Sequence, residues 1–247
     1  MVVAAPDHRG GEALTARVGQ VARLTRYPVK SLCGEELDEV EVGRRGLAGD
    51  RAWAVYTEDG GIGSGKTTRR FRKVDGLLDL RATLEAVGPV VECSGVRLPA
   101  DRASTLVSEA LGRPVTLRPE GAVPHHDESP VHVITTTGLR RLSERLGEPV
   151  DPARFRANVV LDTLDLDTKE PDDDWVGRDL LLGGGDVVLR VGNGMPRCVM
   201  VDLPQRGLDR DGRILKTLAA DGDLTFGWQA TVLRGGTVRR GDLAALV

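Results

Sequence analysis

The chain has 247 residues, of which 40% are hydrophobic and only 3% aromatic. That is enough for one large β domain or two small ones with an aliphatic core, and it argues against wholesale disorder. A formal net charge of −3, from 34 basic and 37 acidic side chains, lacks the basic excess and aromatic platforms of a nucleic-acid binder.

Three cysteines, Cys33, Cys93 and Cys198, stand far apart with no CxxC pair. Neither a disulfide framework nor a structural zinc site is expected. No secretory signal precedes the domain, and no run of about 18 apolar residues could cross a bilayer. The expected location is the cytoplasm, where thiols stay reduced and able to bind metal, with no membrane partner.

In chain order, residues 1–17 read as a flexible tail, with ordered sequence from Val18. Strands are expected at 20–27, 36–42, 51–57, 78–84, 115–118, 131–135, 158–162, 179–182, 186–191, 198–203, 226–234 and 237–246. Helices are expected at 102–111, stopped by Gly112, at 138–146, stopped by Gly147, and at 213–219. Asp151-Pro152 has the form of an N-cap followed by proline, so a short helical turn should precede Arg156. Acidic residues at 170–174 suggest a surface loop. Many short strands with few helices imply a mostly β, α+β chain built on a barrel-like core.

Residues 60–67, Gly-Gly-Ile-Gly-Ser-Gly-Lys-Thr, match the phosphate-loop pattern GxxxxGK[ST]. The following residues, Thr68 to Gly76, are too basic and too few for a core-packed helix, and alternating βα units are missing. A glycine-rich hairpin or loop tip is the better reading. His125, His126 and His132 lack metal-binding spacing and read as ordinary histidines. Basic residues at 69–73 suit a solvated face, or contact with a partner or substrate anion.

Four islands resemble neither core nor ordinary surface. They are Tyr27-Pro28-Val29-Lys30-Ser31, Gly46-Leu47-Ala48-Gly49-Asp50-Arg51, Arg154-Phe155-Arg156-Ala157-Asn158, and Met195-Pro196-Arg197-Cys198-Val199-Met200-Val201-Asp202. Together with His126-Asp127-Glu128-Ser129-Pro130-Val131-His132, Leu215-Lys216-Thr217-Leu218, Phe226-Gly227 and Gly241-Asp242, their order resembles the MOSC family, the molybdenum cofactor sulfurase C-terminal domain, with its companion N-terminal region. The likeness runs from Val18 to Val247 and is strongest to the amidoxime-reducing members.

The resemblance implies a MOSC-type β barrel from 18–51 plus 124–247, and a smaller α/β subdomain over 52–123. It implies a molybdenum–pterin cofactor with Cys198 as catalytic metal ligand, since thiolate is a soft ligand suited to a transition metal. Lys30, Ser31, Arg51, Ser129, Arg156, Asn158 and Cys198 match the family's cofactor-lining positions. Guanidinium forks and a lysine charge suit the cofactor's phosphate. Ala157 stands where proline is common and Pro196 where serine often precedes Arg-Cys; these departures bear on substrate class.

The implied function is an oxidoreductase that reduces N-hydroxylated compounds. There is no iron–sulfur cysteine spacing and no dinucleotide fingerprint, so electrons must come from a separate flavin reductase, cytochrome or ferredoxin-type protein. Pyridoxal phosphate, haem and iron–sulfur clusters are not expected. Asp202 is a candidate proton donor only by its nearness to Cys198 in the chain. The alternatives are a sulfur or molybdenum-cofactor carrier with a persulfide on Cys198, and a metal-free binder of small anions.

Overall fold

The computed structural model describes residues 16–163, 174–220 and 224–247. The tail expected at 1–17 lies outside them except for its last two residues, and the acidic loop at 170–174 except for Asp174.

The chain opens with strands β1 (Ala16–Arg26), β2 (Glu35–Leu37), β3 (Glu39–Gly43) and β4 (Gly46–Leu47). Next come β5 (Trp53–Thr57), β6 (Ile62–Ser64), β7 (Phe71–Lys73), β8 (Arg81–Glu85), β9 (Gly88–Cys93), β10 (Val96–Pro99), helix α1 (Ser104–Leu111) and β11 (Val115–Pro119). The remainder is β12 (Val131–Thr135), α2 (Thr136–Leu146), β13 (Val159–Asp162), β14 (Asp179–Leu182), β15 (Val187–Pro196), α3 (Ile214–Ala220), β16 (Thr225–Arg234), β17 (Gly236–Arg239) and β18 (Leu243–Leu246).

Seven strands close a barrel in the order β1–β13–β12–β16–β15–β14–β18, with β18 pairing back to β1 and β2 pairing further along the same edge of β1 as β18. Closure removes the free sheet edges. Only β12 and β13 run parallel within it, joined through α2. The strands fill the interior with Val131, Val133, Val159, Leu161, Leu180, Leu189 and Trp228, and in β1 a bulge between Val21 and Arg23 brings both Val21 and Leu24 into it. Trp175 stacks on Trp228 at 4.7 Å between centroids. Gly19 lets β1 approach β13, because a Cβ there would sit 2.2 Å from the oxygen of Asp162.

A second apolar cluster gathers Val29, Leu32, Val55, Leu77, Ala82, Val91, Val107, Val115 and Leu117. It lies among the sheets β11–β5–β6–β7 and β10–β9–β8, with α1 supplying Val107. Against the barrel, α2 buries Leu139 and Leu142, and α3 buries Ile214 and Leu218. Thr135 caps α2 by accepting from the Gly138 N–H at 3.0 Å, and Gly147 ends it in the left-handed region at φ 76°. No helix among the described residues is long and apolar enough to cross a membrane.

Several expected elements differ. Residues 198–203 are not a strand: Val199–Val201 form a 3-10 turn. Asp202 binds this turn toward α3, its carboxylate accepting from the Leu215 N–H at 3.0 Å and its carbonyl from the Asp211 N–H at 3.0 Å. The single strand expected at 237–246 breaks into β17 and β18 at Gly241, which has φ 89°. The strand expected at 78–84 starts only at Arg81, because Leu78 and Asp79 belong to the 3-10 turn Leu77–Asp79. The glycine-rich segment at 60–67 contains buried β6, paired parallel to β7, and no helix follows it. The hairpin β9–β10 carried no sequence expectation.

Candidate functional site

Each segment of the site has a local cause. After β1 the chain turns through Pro28 and Val29, and the Lys30 N–H donates to the Trp53 carbonyl at 2.8 Å, so Lys30 and Ser31 are fixed against β5. The turn before β5 delivers Asp50 and Arg51, whose N–H donates to the Tyr27 carbonyl at 2.7 Å. Asp151 accepts from the Ala153 N–H at 2.8 Å and starts the 3-10 turn Pro152–Phe155, which ends on Arg156. Pro196 closes β15 and leaves Cys198 half-buried before the next turn.

These segments converge. Lys30, Ser31, Arg51, Ser129, Arg156, Asn158 and Cys198, all named from sequence, line one cavity that encloses about 130 Å³. Also on its wall are Lys66, His126, Asp127, His132, Arg154 and Arg197, which the sequence reading gave no cofactor role. Arg197 was in view as the first residue of Arg-Cys, and Asp127 within the His-Asp-Glu-Ser-Pro run. Lys66 belonged to the phosphate-loop match. Asp202 does not line the cavity.

Among the described residues, five that are not glycine have left-handed backbones. Three of them, Ser31 (φ 65°), Arg51 (φ 50°) and Arg156 (φ 54°), are on this wall. Such conformations cost free energy and persist where the surroundings enforce them, commonly at ligand sites.

Charge is concentrated here. Lys30 is buried and paired with Asp127, which also accepts from Lys66 at 3.0 Å. Burial pushes the Lys30 ammonium down to about 8; Asp127 opposes that shift, while Arg51 and Lys66 reinforce it. Burial alone would raise Asp127, but the two lysines hold its carboxyl well below the usual range. Arg51 pairs with the fully buried Asp50 carboxylate, which also accepts from the Tyr27 N–H at 2.7 Å. The guanidiniums of Arg51 and Arg156 lie 4.9 Å and 4.3 Å from the Tyr27 ring centroid.

Arg197 stands beside Cys198. Its Nη1 donates to the Phe155 carbonyl at 3.3 Å and approaches His132 Nδ1 at 3.4 Å. Burial pushes this guanidinium down to about 10, so it stays charged at neutral pH. His132 Nε2 lies 3.0 Å from the Phe226 carbonyl, which makes Nε2 the protonated nitrogen and Nδ1 an acceptor for Arg197. Burial and the Arg197 charge keep this imidazole neutral, far below its ordinary value.

Two buried guanidinium nitrogens on the wall, Arg197 Nε and Arg156 Nη1, have no hydrogen-bond partner. Buried donors are normally satisfied, so both mark places for an acceptor. Ser129 donates to the Val131 carbonyl at 2.8 Å and keeps its lone pairs free. Asn158 stitches the frame: its Oδ1 accepts from the His132 N–H at 3.1 Å and its Nδ2 donates to the Thr25 carbonyl at 3.2 Å. One amide N–H of Asn158 is left over. The arrangement is a cationic cavity with unsatisfied donors around a thiol, suited to an anionic group that also presents a soft metal.

Comparison with known proteins bears on this cavity. The MOSC domain model matches residues 120–244, and the model of the MOSC N-terminal beta barrel domain matches residues 18–86. Mitochondrial amidoxime-reducing component 1 of Homo sapiens is 25% identical, over 83% of this chain and 72% of that protein. Its Mus musculus counterpart is 26% identical, over 92% of this chain and 82% of that protein. Among solved structures, the YuaD protein of Bacillus subtilis is 13% identical with a TM-score of 0.47, covering 94% of this chain and 96% of that one. YiiM of Geobacillus stearothermophilus is 21% identical with a TM-score of 0.35, covering 48% of this chain and 54% of that one. The match from residue 120 to 244 takes in Arg156, Asn158 and Cys198 as well as five of the seven barrel strands and the start of β18, and the chain belongs to the MOSC family.

Proposed function

We propose that this chain binds a molybdenum–pterin cofactor in the cavity around Cys198 and reduces N-hydroxylated compounds with electrons from a separate protein. One observation carries the reading: seven residues from well-separated segments line a single cationic cavity whose wall includes a half-buried thiol and two orphaned guanidinium nitrogens. The relatives named amidoxime-reducing component supply the substrate class.

The residues fit such a group. Lys30, Arg51, Arg156 and Arg197 offer charge and forked donors to a phosphate and a polar ring system. Cys198 offers the thiolate for the metal. When bound, the cofactor supplies the two-electron redox chemistry. The chain's own work is then positional and electrostatic. Asp127 holds the Lys30 ammonium in place, and Asp50 and the Arg156 carbonyl hold Arg51. His132 and the Phe155 carbonyl aim Arg197 beside the thiol, and Asn158 fixes the strand ends that frame the cavity. The electron donor is of flavin reductase, cytochrome or ferredoxin type. All three cysteines are free, which accords with a reducing compartment such as the cytoplasm. We read residues 18–51 plus 124–247 as the barrel unit and 52–123 as a smaller subdomain; the separate apolar clusters support that division except at Val29 and Leu32, which pack into the cluster of the smaller subdomain.

The test is molybdenum and pterin content of the wild type and Cys198→Ser, made in a host that synthesises the cofactor, followed by amidoxime reduction with an artificial electron donor. Near-stoichiometric metal and pterin in the wild type, metal loss in the variant and substrate turnover are expected. Labelled sulfur passing through Cys198 without turnover would establish the carrier function instead. Absence of both metal and pterin from folded wild type would overturn the cofactor assignment.

A further inference from the structure

Arg156 lines a second cavity as well, of about 310 Å³, bounded by β1, the turn after it and the 152–160 segment. Tyr27 and Cys33 line this cavity and not the first, and the Arg156 guanidinium lies over the Tyr27 ring. Four arginines reach its wall. Two are neutralised: Arg23 pairs with Glu36, and Arg206 with Glu92 at 2.8 Å. The other two make no direct ion pair among the described residues, although Arg81 faces Glu92 across the β8–β9 ladder. Arg81 gives its Nε to the Gly34 carbonyl at 3.2 Å and is in no ion pair among the described residues. Arg156 is 9% exposed, gives Nη2 to the Leu32 carbonyl at 2.8 Å and leaves Nη1 without a partner. Opposite in chemistry is an apolar wall of Pro152, Ala153, Ala157 and Val160.

A buried guanidinium without an acceptor is costly, and a carboxylate is the anion whose two oxygens match its planar fork. A compact inorganic anion would leave the apolar wall unused, whereas a carboxylic acid with a hydrocarbon body covers both. We propose that this second cavity binds a small carboxylic acid with an apolar body. Arg81 and Arg156 hold the carboxylate, and Ala153, Ala157 and Val160 contact the chain. This site needs neither Cys198 nor a metal, but it shares Arg156 with the cofactor cavity, so the residue that separates the two assignments is Arg81, which lines this cavity alone.

Hexanoate and its neutral counterpart hexanamide are the probes, titrated calorimetrically into full-length protein from a host blocked in cofactor synthesis. Hexanoate should bind saturably and hexanamide at least about tenfold more weakly, because a charge-assisted bond is lost. Arg81→Gln should weaken hexanoate binding by about tenfold or more. Ala153→Leu, which fills the apolar side without touching a charge, should weaken it as well. Molybdenum content of Arg81→Gln made in a competent host should equal that of the wild type, so failure here is separable from failure of the cofactor assignment. The proposal is overturned if wild type shows no saturable hexanoate binding, if hexanamide binds equally well, or if the folded variants bind as the wild type does.

Discussion

The guanidinium of Arg51 donates to the main-chain oxygen of Arg156 at 3.1 Å, across 105 positions of sequence. Both residues have left-handed backbones, and both guanidiniums rest over Tyr27. Main-chain support on the other side comes from His125, whose Nδ1 lies 2.9 Å from the Arg51 carbonyl, while its Nε2 lies 2.9 Å from the Tyr56 hydroxyl. The cavity wall is thus a braced unit rather than a set of independent side chains.

That bracing gives a prediction for Arg51→Gln. Burial would raise the Asp50 carboxyl, and it is the Arg51 charge that holds it low. Removing one partner of a buried pair costs about 3–5 kcal/mol. The lower end is expected, because the Tyr27 N–H and nearby His126 still face Asp50. The double variant Asp50→Asn/Arg51→Gln should recover much of the stability but none of the cofactor content. Denaturant unfolding together with metal analysis checks both; recovery of molybdenum in the double variant would remove Arg51 from cofactor binding.

Ser31→Gly should separate stability from function. At φ 65° the serine backbone is strained, and a left-handed L-residue costs roughly 1–2 kcal/mol. Glycine relieves that strain but adds entropy to the unfolded chain, for a net gain of about 1 kcal/mol at most. The Ser31 hydroxyl is lost from the cavity at the same time. A higher melting temperature with less bound cofactor is expected. Unchanged cofactor content would make Ser31 a purely conformational residue.

Much of the framework was legible in sequence because it is local. Asp151-Pro152 caps its turn, Gly147 stops α2, and the alternating buried residues of β14 and β15 give the barrel part of its interior. The cofactor-lining residues were visible as islands by type and order. What sequence could not show is the pairing among them. Lys30 finds Asp127 from 97 positions away, and His132 finds Arg197 from 65 away, so neither partner carries a local signal. Residues 198–203 misled because Val199 and Val201 alternate as a strand would. Their fate was decided by Asp202, whose bonds to Asp211 and Leu215 fold the segment against α3.

Lys30 predicts opposite pH trends for the loaded and the empty protein. In the empty protein its ammonium titrates near about 8, below the unfolded value of 10.5. An anion bound beside it raises that value, so cofactor affinity is flat below about pH 8 and falls as the pH climbs above it. Stability of the empty fold runs the other way: between about pH 8 and 10.5 the unfolded chain holds more protons, so the Lys30 contribution becomes less unfavourable. Dialysis of loaded protein across this range, with molybdenum measured afterwards, should show progressive loss. Lys30→Arg should retain its cofactor with little pH dependence, since arginine stays charged. A flat wild-type profile would exclude Lys30 from anion binding.

His132 predicts acid sensitivity. Its folded value is depressed by burial and by Arg197, while in the unfolded chain it returns to about 6.5. Below that point the unfolded state takes up a proton that the native state refuses, so stability falls with falling pH by at most about 1.4 kcal/mol per unit. His132→Gln, with no ionisable ring, should lose less stability between about pH 7 and pH 5 than the wild type. The same substitution keeps an acceptor within reach of Arg197, so cofactor content at neutral pH should change far less than in Arg197→Met, which deletes the charge beside Cys198. Thermal melts at the two pH values, with metal analysis at the higher one, decide it. An equal acid loss in both proteins would mean that His132 takes up its proton alike in the folded and the unfolded chain, so that burial and Arg197 do not hold it neutral.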